Sequence, residues 1–215
     1  MIQAVVFDMD GVLISSEEVW DEVREGLARE VGAAWPAEAQ HAMMGMNTAQ
    51  WTAYMRDSVG IGWSADEIGN EVERRLAARY RAALPLIPGA VDAVRALSER
   101  VPLGLASSSP RGLIDAVLAA SGLAERFAVT VSSEEVPLGK PAPDVYLLAL
   151  RRLRVAAGAA VAVEDSAAGI RAAAAAGMRV VAVPNPHYPP ADDALALADI
   201  VLDSIAELVP EAIGA

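Results

Sequence analysis

QAVVF (Gln3–Phe7) runs straight into DMDGVL (Asp8–Leu13). The first five residues form an apolar run without polar alternation, which predicts a strand buried on both faces. It ends in two carboxylates two residues apart, and Gly11 allows an immediate turn. Working outward, PLGLA (Pro102–Ala106), AVTV (Ala128–Val131), AAVAV (Ala159–Val163) and RVVAV (Arg179–Val183) repeat the pattern. Between them lie helical spacings: Val91, Val94 and Leu97; Ile114, Val117 and Leu118; Tyr146, Ala149, Leu150 and Leu153. Strands alternating with helices predict a parallel sheet wound on both sides.

Residues 16–85 break this rhythm. They hold no convincing strand, while Trp20, Val23, Leu27 and Val31 fall at helical spacing and Ala65–Ala83 reads as helix. A structureless loop of that length inside a compact domain would be unusual, so the segment is expected to be a helical lobe. LPLIPG (Leu84–Gly89) marks the return to the core. The expected fold class is α/β: a doubly wound, Rossmann-like parallel sheet core (residues 1–15 and 86–215) with an inserted α-helical cap domain (residues 16–85).

Composition narrows the function. The 215 residues are 54% hydrophobic, enough for one α/β core plus a small lobe. The formal net charge of -12 repels a polyanion and attracts a divalent cation, so no nucleic-acid partner is expected. No apolar run suits a membrane span and no signal peptide is evident, so no membrane partner is expected. Cysteine is absent, which rules out disulfides and thiol catalysis and makes the cytoplasm the default compartment. Among 17 basic residues a single one, Lys140, is lysine. A lone lysine is a candidate for a role that needs a compact ammonium.

Ligands of doubly wound sheets bind beyond the carboxyl ends of the strands, and four predicted ends carry polar groups. Asp8 and Asp10 repel one another unless a cation compensates; taken alone, they also fit a solvated turn. Ser107, followed by Ser108 and Ser109, offers a hydroxyl and backbone N–H groups to phosphate oxygens, or simply a helix cap. Lys140 precedes Pro141 in GKPAPD, which places it at a helix N-terminus, where an anion held jointly by lysine and helix would explain it. Glu164 and Asp165 open a helix with Ser166 and can complete an oxygen shell with Asp8, while Gly169 permits close helix–strand contact. The four together specify a site far better than any one alone.

In this order, the residues resemble the haloacid dehalogenase-like superfamily: FDMDGVL its first motif, Ser107 its second, Lys140 its third and Glu164–Asp165 its fourth. The helical insert resembles the cap of the subgroup that contains β-phosphoglucomutase and many small-molecule phosphatases, and the likeness spans nearly the whole chain. The resemblance implies that Asp8 attacks phosphorus and that Asp10 protonates the leaving oxygen and then activates water. It also implies that Ser107, Ser108 and Lys140 bind phosphate. Mg2+ would be held by the Asp8 carboxylate, the Asp10 backbone carbonyl and Asp165, with Glu164 a further ligand or the holder of a coordinated water. A monomer is implied.

The reading favours hydrolysis of a small-molecule phosphate monoester. Asp10 argues against dehalogenation, and the lysine-free cap argues against a Schiff-base phosphonatase. A mutase of the β-phosphoglucomutase type is the alternative, but Trp20, Met44 and Thr48 stand where the mutase carries polar or cationic groups, and Ser15 replaces the usual aspartate. A non-catalytic phosphate-binding module stands as a further alternative. Trp20, Met44, Gly45, Asn47 and Trp51 are the candidate cap contacts. With Met43 and Met46 they suggest an uncharged or partly apolar leaving group, unless they merely pack the lobe's own core. His41 and His187 are read as surface residues.

Overall fold

In β1 (Ala4–Phe7), Val5 and Phe7 join one buried apolar cluster while Ala4 and Val6 join another, so alternate side chains supply the two faces of the sheet. The computed structural model describes residues 1–43, 46–186 and 189–214. Besides β1 the sheet contains β2 (Leu103–Ser107), β3 (Phe127–Ser132), β4 (Ala160–Glu164), β5 (Arg179–Ala182) and β6 (Ile200–Val201). All pairs are parallel, in the order β3-β2-β1-β4-β5-β6. The five predicted strands are present. β6 went unpredicted because it is two residues long.

The helices are α1 (Glu17–Glu30), α2 (Ala39–Met43), α3 (Thr48–Asp57), α4 (Ala65–Ala82), α5 (Ala90–Ser98), α6 (Arg111–Ser121), α7 (Asp144–Leu153), α8 (Ala167–Ala175), α9 (Asp192–Leu195) and α10 (Pro210–Ile213). α5 and α6 bury Val94, Leu97, Leu113 and Ile114 on the Val5–Phe7 face. α7 and α8 bury Tyr146, Ala149, Ile170 and Ala173 on the other. This is the α/β doubly wound architecture read from the sequence. The strand order reverses between β1 and β4, and at such a switch point the loops on either side diverge to leave a crevice.

Among the described residues, every element from Glu17 to Ala82 is helical. α3 and α4 each begin in a capping box, Asn47 with Gln50 and Ser64 with Glu67. Val31, expected on the first helical face, lies just past α1 and is exposed. The insert also packs onto the rest of the chain: Leu27, Trp51, Met55 and Leu76 belong to the same apolar cluster as Phe7 and Ile114. α4 lies against α6, where a Cβ on Gly112 would overlap the Glu73 carboxylate. Among the described residues, no helix is long and apolar enough to cross a membrane.

Candidate active site

The parallel register sets Phe7 beside Leu105 on one side and Val163 on the other. The residues that follow these three strands therefore emerge together at the switch point: Asp8 and Asp10 after β1, the Ser107–Ser109 segment at the end of β2, and Glu164–Asp165 at the end of β4. The turn after β1 is tight, with the Met9 carbonyl accepting from the Leu13 and Ile14 N–H groups. Gly11 has φ +81, and a Cβ there would overlap the Asp165 carboxylate. Glycine is thus required twice over, for the backbone conformation and for the close approach of the β4 segment.

Lys140 reaches the site from the β3–α7 connection. Its ammonium lies 2.9 Å from Asp8 Oδ1, donates to Glu164 Oε1 at 2.5 Å and to the Ala106 carbonyl at 3.1 Å, and sits over the Tyr146 ring. Contrary to the sequence expectation, Lys140 does not stand at a helix N-terminus. The Lys140–Pro141 peptide is cis and α7 begins only at Asp144, since Pro141 and Pro143 fill the intervening turn. Two buried carboxylates, not a helix dipole, account for the lysine. Burial disfavours its charged form, but Asp8 and Glu164 outweigh that and hold its pKa above the ordinary lysine range.

Glu164 is completely buried and well supplied with donors. Oε1 accepts from Lys140 and from the Tyr146 hydroxyl at 2.5 Å. Oε2 accepts from the Asp165 N–H at 3.2 Å and from the Ser166 hydroxyl at 3.2 Å. The space it fills exists because residue 169 has no Cβ; one there would overlap this carboxylate. Tyr146, read from the sequence only as an apolar-face residue, is a positioning group for Glu164. Burial, then Glu164, raises its pKa, so it remains a donor.

The other carboxylates are short of partners. Asp165 Oδ1 and Asp10 Oδ1 are buried without a hydrogen bond. Asp8, Glu164 and Asp165 each offer an oxygen within 4.8 Å of the others. Burial pushes the Asp8 carboxyl up to about 7, with Lys140 opposing and Glu164 and Asp10 reinforcing the rise. Burial, then Glu164 and Asp8, raise Asp165 well above the carboxylate range. A hard divalent cation is the group that such oxygens accept, and it would reverse both shifts. Asp8 and Asp165 fit it as direct ligands, whereas Glu164 is already committed to Lys140, Tyr146 and Ser166.

Asp10 Oδ2 accepts from the Ser109 hydroxyl at 2.7 Å. Ser109 was missed as a site residue; the triple-serine stretch carried no cue as to which hydroxyl would face Asp10. Ser107 is wholly buried, its Oγ accepting from the Ser109 N–H at 3.0 Å. Ser132 and Ser133, from the neighbouring strand end, donate to the carbonyls of Ser109 and Ser108 and fix the loop. Ser108 and Ser109 line the cavity, together with Asp8, Asp10, Lys140 and Asp165; Ser107 does not.

That cavity, about 170 Å³, extends to the helical insert, which contributes Trp20, Asp21, Arg24, Met43 and Met46. Trp20 therefore lines the cavity. Trp51 is buried behind it, the rings meeting edge-to-face at 5.8 Å, so it packs rather than lines. Asn47 caps α3 and lies close to Gly139, next to Lys140. Met44, Gly45 and His187 fall outside the described residues. The insert also supplies a cation that the sequence reading overlooked, Arg24 in α1 rather than in the following loop.

Residues 2–177 match the family model of haloacid dehalogenase-like hydrolases. Hexitol phosphatase B of Escherichia coli (strain K12) is 34% identical over 213 residues, covering 96% of this chain and 94% of that protein. A probable pseudouridine-5'-phosphatase of Drosophila melanogaster is 32% identical over 216 residues, 97% of this chain and 92% of that protein. The crystal structure of CbbY from Rhodobacter sphaeroides in complex with phosphate superposes with TM-score 0.84 at 30% identity, covering 97% of this chain and 96% of that one. The convergence of Asp8, Lys140 and Asp165 at one switch point agrees with these likenesses: the chain belongs to the haloacid dehalogenase-like hydrolases.

Proposed function

We propose that this chain is a Mg2+-dependent phosphatase that hydrolyses a small-molecule phosphate monoester through a phosphorylated Asp8. The observation that carries the reading is the pairing of Asp8 with the buried Lys140 ammonium beside the unpartnered oxygens of Asp10 and Asp165. The phosphatase names of the relatives support the substrate class. In this reading Asp8 and Asp165 hold the metal, with the Asp10 backbone carbonyl a further ligand.

A carboxylate approaching a phosphate dianion meets repulsion of about 4 kcal/mol per pair of unit charges at 4 Å in a medium of effective dielectric near 20. Bound magnesium supplies positive charge at the phosphoryl oxygens. Lys140 supplies the rest, held in place by Glu164. Asp8 attacks phosphorus as the bond to the leaving oxygen breaks, and Asp10 passes its proton to that oxygen. Asp10 then takes a proton from the water that attacks the phosphorylated Asp8, which releases inorganic phosphate, frees the Asp8 carboxylate and returns Asp10 to its protonated form. Ser109 orients Asp10 through its hydroxyl. Ser107 and Ser108 shape the loop whose polar groups face the phosphoryl oxygens.

The test is phosphate release from a panel of phosphate monoesters with magnesium present. Asp8→Asn is expected to lower turnover by roughly 10⁴-fold or more. Turnover that survives this substitution would remove Asp8 from the chemistry.

A further inference from the structure

Among the described residues, Arg24 is a buried cation with no carboxylate within ion-pair distance. It is 8% exposed, and among the described residues its side chain makes neither a hydrogen bond nor an ion pair; Nε is buried and unsatisfied. Its guanidinium lies 4.4 Å from the Trp20 ring centroid and 4.8 Å from that of Trp51. Cation–π contact with two indoles offsets only part of the cost of removing a charge from water. The guanidinium lines the same cavity as the Asp8–Lys140 pair. Three residues earlier on α1, Asp21 lines it too, and its Oδ1 is likewise buried without a partner. The far wall of the cavity thus presents one unfilled donor fork and one unfilled acceptor.

We propose that Arg24, together with Asp21, selects the alcohol to which the phosphate is attached: an uncharged, polyhydroxylated leaving group of the sugar or polyol kind. One hydroxyl oxygen accepts from the Arg24 guanidinium, and a neighbouring hydroxyl donates to Asp21. A hydroxyl serves both groups because it is donor and acceptor at once. A second phosphate serves them poorly, since Glu17 and Asp21 lie on the same wall and would place two carboxylates against it for one guanidinium. The aliphatic face of the alcohol would rest on Trp20. The inference builds on the phosphatase reading above and names the leaving group for the same site.

The experiment compares kcat/KM for a hexitol monophosphate, its bisphosphate and phenyl phosphate, with magnesium present, in the natural protein and in Arg24→Met and Arg24→Lys. Methionine keeps apolar bulk between the tryptophans and removes the donors; lysine keeps the charge and removes the fork. The natural protein is expected to prefer the hexitol monophosphate. Arg24→Met is expected to reduce the hexitol-to-phenyl ratio roughly 10- to 100-fold, the worth of hydrogen bonds to a charged group, and Arg24→Lys less. If both substrates fall together and the ratio holds, Arg24 only packs the tryptophans and the proposal is overturned. A bisphosphate preference that Arg24→Met abolishes overturns it as well, by making Arg24 the grip for a second phosphate. Should Arg24→Met fail to fold, Arg24→Lys carries the same comparison. Release from none of the three substrates by the natural protein sinks the phosphatase reading itself.

Discussion

The two halves of the cavity are built differently. On the sheet side, the Lys140 cation has its counter-charges supplied by other segments of the chain, Asp8 and Glu164, and Tyr146 and Ser166 complete Glu164. On the helical side, Arg24 has no carboxylate within ion-pair distance among the described residues, and Arg24 and Asp21, three residues apart, each leave a buried polar atom open; the open atoms of the sheet side are carboxylate oxygens of Asp10 and Asp165, gathered beside Asp8. A reaction common to many substrates calls for charges fixed before the substrate arrives, because reorganising them during the chemical step raises the barrier. Selection of one alcohol calls for groups that only the right ligand completes, because unpaired buried groups penalise the wrong one. On the proposed reading, the β1–β4 switch point carries the chemistry and α1 the choice of substrate.

Replacing each cation by methionine and measuring stability separates the two halves most strongly. Lys140→Met leaves two buried carboxylates without their counter-charge and is expected to cost about 3–5 kcal/mol in chemical denaturation without added metal. Arg24→Met removes a buried charge that, among the described residues, has no carboxylate within ion-pair distance, and is expected to change stability by less than about 1 kcal/mol. Equal losses at the two positions would mean that the halves do not differ in the way described.

A smaller effect is expected on the outer surface of the helical insert. Glu71 accepts from Arg74 and Arg75, in that order of influence, and its pKa falls from 4.5 to about 2. Arg75 also reaches Glu30 of α1, tying α1 to α4. A carboxylate with a lowered folded-state pKa stabilises fully above its unfolded value and loses that contribution as pH falls toward the folded value. The window therefore runs from about pH 4.5 down to about 2. These side chains are solvated on their outer side, so the loss is expected to be about 1 kcal/mol or less. Urea denaturation across that range should show it in the natural protein and show less of it in Glu71→Gln.

The fold and the sheet side of the cavity were largely legible in the sequence, the helical side much less so. The five longer strands were readable because burial on both faces leaves unbroken Val-, Leu- and Ala-rich runs. The convergence of Asp8, Lys140 and Asp165 followed because ligands of such sheets gather at the strand ends. Gly169 was readable as a place of close approach, although the group approaching it, the Glu164 carboxylate, was not. β6 escaped because two residues carry no periodicity. Lys140 departs from the sequence expectation because Pro141 does not open the helix: two prolines, 141 and 143, hold a turn before it. Arg24 and Tyr146 escaped for a common reason. Arginine on a helix is ordinarily a solvated residue and tyrosine on an apolar face is ordinarily packing, and only the tertiary neighbours, Trp20 and Trp51 in one case and Glu164 in the other, give them another role. Ser109 differs from Ser107 and Ser108 only in facing Asp10, which depends on the loop that Ser132 and Ser133 hold.

The central claim is that Asp8 itself carries the phosphoryl group during turnover. Its most direct test uses Asp10→Asn with p-nitrophenyl phosphate and magnesium. That leaving group departs without a proton, so the first step can proceed, while the second lacks the group that activates water. Acid quenching followed by peptide mass measurement is predicted to find a phosphoryl group on the peptide containing Asp8, and none when Asp8→Asn is added. Nitrophenol release with no phosphoryl group on the chain, or with one on another residue, would contradict the account.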